Sequence, residues 1–302
     1  MTLFSLSADR SRRRLLVVLC VLGWMAVFVP GTRALCDVWR VTDDAGHTLY
    51  LAGSIHYLRA SDYPLPAPYE QAYRASTALA FEHDPADDGR RFQEAFGAAT
   101  RYPLGGKLKD HVDPRTYAYL LRVVGNAHGS TAPEERIEHL RPWALAFLLE
   151  SPGGLQGVSS SFGVEAHFVE KARRDHKPMA GLVPLRDHIA VFGKMSDADS
   201  EAWLLLAFIH MNTEGKAFEQ SVANWKRGDV AAMDRAEQEE LRDAPGLRRR
   251  MLSDRNAVWV PRLEGYLRSG KTWMAIAGAA HMAGGDSVPT LLRARGYHVE
   301  QL

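Results

Sequence analysis

Leu51-Ala52-Gly53-Ser54-Ile55-His56 and Ile276-Ala277-Gly278-Ala279-Ala280-His281 are one device written twice. Each is an apolar run ending in Gly with His three residues later, a G-x-x-H turn. Such a run reads as a strand covered on both faces, as in the parallel sheet of an α/β fold. The glycine is expected to let the chain turn sharply off the strand end, where a Cβ would clash. The His then projects above the carboxyl edge of the sheet, where ligands bind in open α/β folds. The two histidines are 225 positions apart, so they share a crevice only if their strands are neighbours. A third apolar run, Ala78-Leu79-Ala80-Phe81, ends directly on Glu82. Three strands thus deliver His, Glu and His to one edge.

Outward from these runs, Val38–Val41 and Thr48–Gly53 read as strands paired through the Asp43-Asp44-Ala45-Gly46 turn. Pro66–Ser76 is a short helix with Pro in its first turn. From Arg90 to about Leu149 the pattern is helical, with Pro114 and Pro133 where helices begin. Ser151–Gly163 is the clearest loop, and a loop this long inside a domain is often functional. Val164–Arg174 reads as a helix and Pro178–Val183 as a strand. Three or four helices follow between Leu185 and Ser269, the last with a buried stripe at Val258, Trp259, Leu263 and Leu267. Thr272–Gly278 is a strand, Ser287–Arg295 a helix and Tyr297–Leu302 a closing strand. This order predicts an α/β fold: a mixed, mostly parallel sheet covered by helices, with a helical insertion or cap at roughly 90–150 and 185–269. No linker rich in Pro, Gly or Ser divides residues 35–302, which are expected to form one domain.

The N-terminus reads as an export signal. Arg10, Arg12, Arg13 and Arg14 precede an uncharged apolar run from Leu15 to Val29, and Thr32 and Ala34 give a small-x-small cleavage site. The run is shorter than the roughly 20 residues of a spanning helix. A membrane anchor is therefore expected only if the signal is retained. Ser11–Leu16 also fits a twin-arginine pattern, and the choice between that route and Sec stays open. Export places the mature chain in the periplasm or another extracytoplasmic space. Cys20 leaves with residues 1–34, so no internal disulfide can form, and Cys36 reads as a small residue at a strand edge. Removal of the signal takes five Arg and one Asp and leaves a net charge of about −3, no footprint for nucleic acid.

Two imidazoles and a carboxylate are a common ligand set for a catalytic divalent metal with an open position. His56, Glu82 and His281 are therefore the candidate metal ligands and catalytic residues, with zinc or manganese favoured as the ion. Such an ion would lower the pKa of bound water and supply hydroxide. Glu82 acting as a general base is the alternative. Other chemistries find no support. Gly157-Val158-Ser159-Ser160-Ser161 begins like a nucleophile elbow but ends in Ser, with no strand feeding it. No H-E-x-x-H, P-loop or strand-linked G-x-G-x-x-G is present. His111, His128, His139, His176, His188 and His210 read as ordinary surface or capping residues; His83 either points to the opposite face of the sheet, the favoured reading, or turns into the site.

Leu51–Tyr57, Phe81-Glu82-His83-Asp84 and Gly278-Ala-Ala-His281-x-x-Gly284 together resemble the TraB/PrgY/GumN family over about Val38–Leu302. Gly163-Val164-Glu165, Lys177-Pro178, Trp225, Gly228-Asp229 and Arg255-Asn256 agree with it. The resemblance implies a fold shared with ChaN-like and erythromycin-esterase-like proteins, and kinship with Tiki metalloproteases. It implicates His56, Glu82 and His281 directly, with Glu165, Arg255 and Asp84 supporting the site or touching substrate. The TraB and PrgY branches are linked to blocking peptide pheromone signals. The reading that follows is an exported metal-dependent hydrolase, most plausibly a peptidase. The alternative is a non-catalytic receptor for a peptide or a small haem-like ligand in the same crevice. One departure is Val183-Pro184 where the family often has Glu after the leucine at position 182.

Overall fold

The computed structural model describes residues 35–128, 133–151, 155–211 and 214–302 of the 302-residue chain. The expected export signal lies outside the described residues. Six strands form one sheet: β1 (Val38–Thr42), β2 (Thr48–Ser54), β3 (Ala78–Phe81), β4 (Met179–Gly181), β5 (Trp273–Gly278) and β6 (His298–Gln301), in the order β4-β3-β5-β2-β1-β6. β4, β3, β5 and β2 run parallel, whereas β1 is antiparallel to both β2 and β6. The sheet is thus mixed and mostly parallel, as the alternation of strand and helix patterns predicts. The two G-x-x-H strands are direct neighbours, in a register that pairs Ser54 with Gly278.

The period of two along each strand divides the core into two layers. Leu49, Leu51, Ala275 and Ala277 face one way and pack under the helices Asp254–Leu267 and Val288–Ala294. Ala52, Leu79, Met274 and Ile276 face the other way, against Ala67–Ala75, Val164–Arg174 and Glu214–Lys226. Helices beginning at Pro114, Pro133 and Pro142 and the run Leu185–His210 pack around two further apolar clusters. Between Leu185 and Ser269 there are more helices than the three or four expected: Leu185–Gly193, Asp197–His210, Glu214–Lys226, Val230–Glu240 and the pieces spanning Pro245–Leu267. In the last of these Val258 is 60% exposed, against expectation. The buried stripe is Trp259, Val260, Leu263, Tyr266 and Leu267, a helical spacing that leaves 258 on the outer face. No helix among the described residues is long and apolar enough to cross a membrane.

The reason for Gly53 differs from the expected turn. It lies inside β2, and a Cβ there would sit 1.7 Å from Asp37 Oδ2 and 3.1 Å from the Ala279 backbone. Asp37 is wholly buried; its Oδ1 receives only a long bond from Trp39 Nε1 (3.4 Å), and Oδ2 has no partner among the described residues. Burial pushes its pKa from 3.8 up to about 7. The protonated form is therefore favoured by folding, and stability declines as pH rises from about 4 through about 7, with the deficit persisting above. Asp37→Asn is expected to flatten that decline and raise the melting temperature at alkaline pH, which thermal unfolding across this range checks. Gly53→Ala is expected to cost about 1–3 kcal/mol or more through overpacking, read from urea unfolding.

Candidate active site

Parallel pairing places the ends of β2, β3 and β5 side by side, and each hands one residue to a cleft of about 1170 Å³. His56 follows the end of β2, Glu82 follows β3, and His281 sits on a short turn of helix, Ala279–Met282, after β5. Gly278 lies at their centre. A Cβ on it would be 3.6 Å from Glu82 Oε1, 3.6 Å from His281 Cδ2 and 4.0 Å from His56 Nε2. Its backbone φ is −47°, so no left-handed turn requires glycine here, and a Cβ would make only ordinary contacts.

Each imidazole is held through Nδ1. His281 Nδ1 is 2.6 Å from Asn256 Oδ1, while the Asn256 amide nitrogen donates to the Asp286 carbonyl at 2.9 Å. That second bond turns the Asn256 oxygen toward His281, so Nδ1 carries the proton and Nε2 keeps its lone pair. The lone pair meets Arg255 Nη1 at 3.2 Å. Burial, helped by the Arg255 charge, pushes the His281 pKa down to about 3, so the ring is neutral. His56 Nδ1 lies 2.9 Å from Glu165 Oε1, which also accepts from the Ser54 hydroxyl. The Glu165 charge raises the His56 pKa from 6.5 to about 9. Burial raises the pKa of Glu165, but the His56 charge and the bonds from His56 and Ser54 outweigh it and leave the group low.

Glu82 joins the two halves. Its Oε1 accepts the Gly278 N–H at 3.0 Å, and its Oε2 pairs with Arg255. Burial opposes the charge on Glu82, yet Arg255 and the surrounding imidazoles hold the carboxyl well below its usual range. Arg255 in turn stacks over the Trp259 ring at 4.6 Å. The floor of the cleft is thus a charge-balanced set.

Glu165 and Arg255, implicated by resemblance, both stand at this floor. Asp84 does not: it caps the turn at Pro85–Asp87 by accepting from Ala86 N–H at 2.9 Å, and it does not line the cleft. His83 corrects the favoured expectation that it faces away; it lines the cleft, stacked on Phe92 at 5.2 Å and tilted against His188 at 4.7 Å between ring centroids. His188 is not the surface residue its sequence context suggests. Only 12% of its side chain is exposed, and Nδ1 stands 3.9 Å from Glu82 Oε2 without a hydrogen-bond partner among the described residues. Asn256 is the other residue that spacing could not single out. It enters the sequence reading only within the Arg255-Asn256 pair that agrees with the family resemblance, with no role of its own.

Residues 37–301 match the TraB/PrgY/gumN family. The chain belongs to that family. Among curated proteins it is similar to uncharacterized protein YbaP of Escherichia coli, at 21% identity over 84% of this chain and 90% of the relative. The YbaP of Shigella flexneri is 22% identical over 81% of this chain and 87% of its own length. No solved structure matches.

Because the Glu165 charge raises the His56 pKa, the imidazole is expected to stay protonated at neutral pH, and the stability its pairing contributes is full below about 6.5 and is lost as pH rises through about 9. Glu165→Gln should bring the His56 midpoint down toward 6.5, which NMR titration of the imidazole reads directly.

Proposed function

We propose that this family member is a hydrolase that binds a peptide-like substrate in the cleft, over the His56, Glu82 and His281 centre. The observation that carries the reading is the clear space above Gly278, bounded by both imidazoles and the carboxylate. The cleft walls beyond it carry aromatic and aliphatic side chains, including Phe92, Phe96, Phe147 and Phe218, suited to hold apolar groups away from water.

The donor types suit a divalent cation, although one ligand atom from each of the three does not lie within 4.8 Å of the others, so the side chains would have to close in on the ion. Both imidazoles have Nδ1 engaged by an oxygen acceptor, the mounting found for metal-ligating histidines; Nε2 of His56 faces the space above Gly278, and Nε2 of His281 faces Arg255. His56 Nε2, Glu82 and His281 Nε2 would hold the ion, with zinc or manganese matching nitrogen-and-oxygen donors. When bound, it would supply a water of lowered pKa as the nucleophile. Binding there requires His56 to release its Nε2 proton, and the ion competes with Arg255 for Glu82 and His281. Glu165 and Asn256 keep the two rings in the orientation that presents Nε2. Arg255 brings positive charge to the point where a carbonyl oxygen of the substrate would gain negative charge. The N-terminal basic and apolar segment supports a setting outside the cytoplasm.

The charge-balanced floor favours a second reading, a receptor that captures a peptide or a small haem-like ligand without cleaving it. The two are separated by measuring metal content and cleavage of a mixture of quenched fluorescent peptides with the purified full chain. The hydrolase reading expects zinc or manganese near one equivalent at this centre, with cleavage falling to background in His56→Ala and His281→Ala. Peptide capture that survives chelator treatment, with no cleavage under any added metal, would sink it in favour of the receptor.

A further inference from the structure

Three helices end together on the wall of the cleft. Glu150 caps the C-terminus of Pro142–Leu149, His210 is the last residue of Asp197–His210, and Glu240 is the last residue of Val230–Glu240. One ligand atom from each lies within 4.8 Å of the others, the one such grouping among the described residues. His210 Nδ1 is 4.0 Å from Glu150 Oε1 and 3.8 Å from Glu240 Oε1.

We propose that Glu150, His210 and Glu240 form a divalent-cation site, separate from the centre at His56, Glu82 and His281, that ties these helix ends together. An imidazole with two carboxylates is a nitrogen-and-oxygen donor set suited to zinc or a similar first-row ion. Bonds of roughly 2.0–2.2 Å to one ion place ligand atoms about 3–3.5 Å apart, within reach of small side-chain rotations from the observed spacing. Glu150 is already oriented: the Trp203 indole N–H donates to its Oε2 at 2.7 Å, which fixes the plane in which Oε1 faces His210. An outer partner of this kind is typical of a ligating carboxylate.

The local field favours a cation independently of these side chains. Helix C-termini carry partial negative charge from their last carbonyls, and three meet here. All three side chains are partly open, at 27%, 30% and 49% exposure, which leaves coordination positions for water. Trp203 and Glu240 both line the cleft. An ion here would therefore brace the wall against which substrate packs, and its effect would be on stability and on cleft shape rather than on bond cleavage.

The test is zinc titration by calorimetry, with thermal unfolding, on untagged full-length protein first treated with chelator. Wild type is expected to bind one more equivalent than His210→Ala. The double variant His56→Ala/His281→Ala should keep that equivalent and still gain melting temperature with zinc. Glu240→Gln, at a half-exposed position where folding is not at stake, should weaken the binding about tenfold or more. Unchanged zinc stoichiometry and affinity in both His210→Ala and Glu240→Gln would overturn the site. So would loss of all zinc binding in the double variant. Neither result bears on whether the His56 centre hydrolyses peptides.

Discussion

The carboxylate of Glu82 is the point at which separate parts of this chain become one site. One oxygen is tied to the backbone N–H that closes β5, and the other to a guanidinium from the helix Asp254–Leu267. A buried carboxylate with no such partners would lose its charge, because desolvation of an unpaired ion costs several kcal/mol. Here the guanidinium is itself placed over Trp259 and against His281. Removing either partner leaves the other charge stranded in the interior, so the pair, the two strand ends and the helix stand or fall together. His56, nearer the open side, depends on a second and more peripheral pair with Glu165.

The sheet provides the geometry and the helices provide the chemistry around it. Parallel pairing of β2 with β5 and of β5 with β3 fixes the spacing of the three strand ends to within the pleat. What differs among them is the surrounding layer. At β5, Asn256 and Arg255 reach across from a helix 20 or so residues upstream in sequence. At β2, Glu165 comes from the first turn of Val164–Arg174, where the N-terminal end of the helix adds favourable positive potential. The two imidazoles are consequently unlike, one neutral and buried, the other open and charged.

Much of the frame was legible because its signals are local. Apolar runs of four to seven residues ending in Gly or Glu announce buried strands, and prolines at 114 and 133 mark helix starts, whatever the rest of the chain does. The residues that escaped, His188 and Asn256, have their roles set by contacts with elements distant in sequence, and nothing in their neighbours' hydropathy reports those contacts. His83 was misplaced for a related reason. Alternation assigns faces only while a strand lasts, and β3 ends at Phe81, two residues earlier. Val258 shows the opposite limit, since an apolar residue beside a helical stripe need not belong to it.

Gly53 carries a lesson about how such a sheet can vary. The space its missing side chain leaves is filled by the carboxyl of Asp37, the residue just before the adjoining strand, so the two positions divide one volume between them. Neither can change alone in the direction of greater bulk. A larger residue at 53 is accommodated more easily once position 37 has shrunk, although the Ala279 backbone still crowds it. The first half of the G-x-x-H turn is therefore constrained by a residue that does not line the cleft it serves.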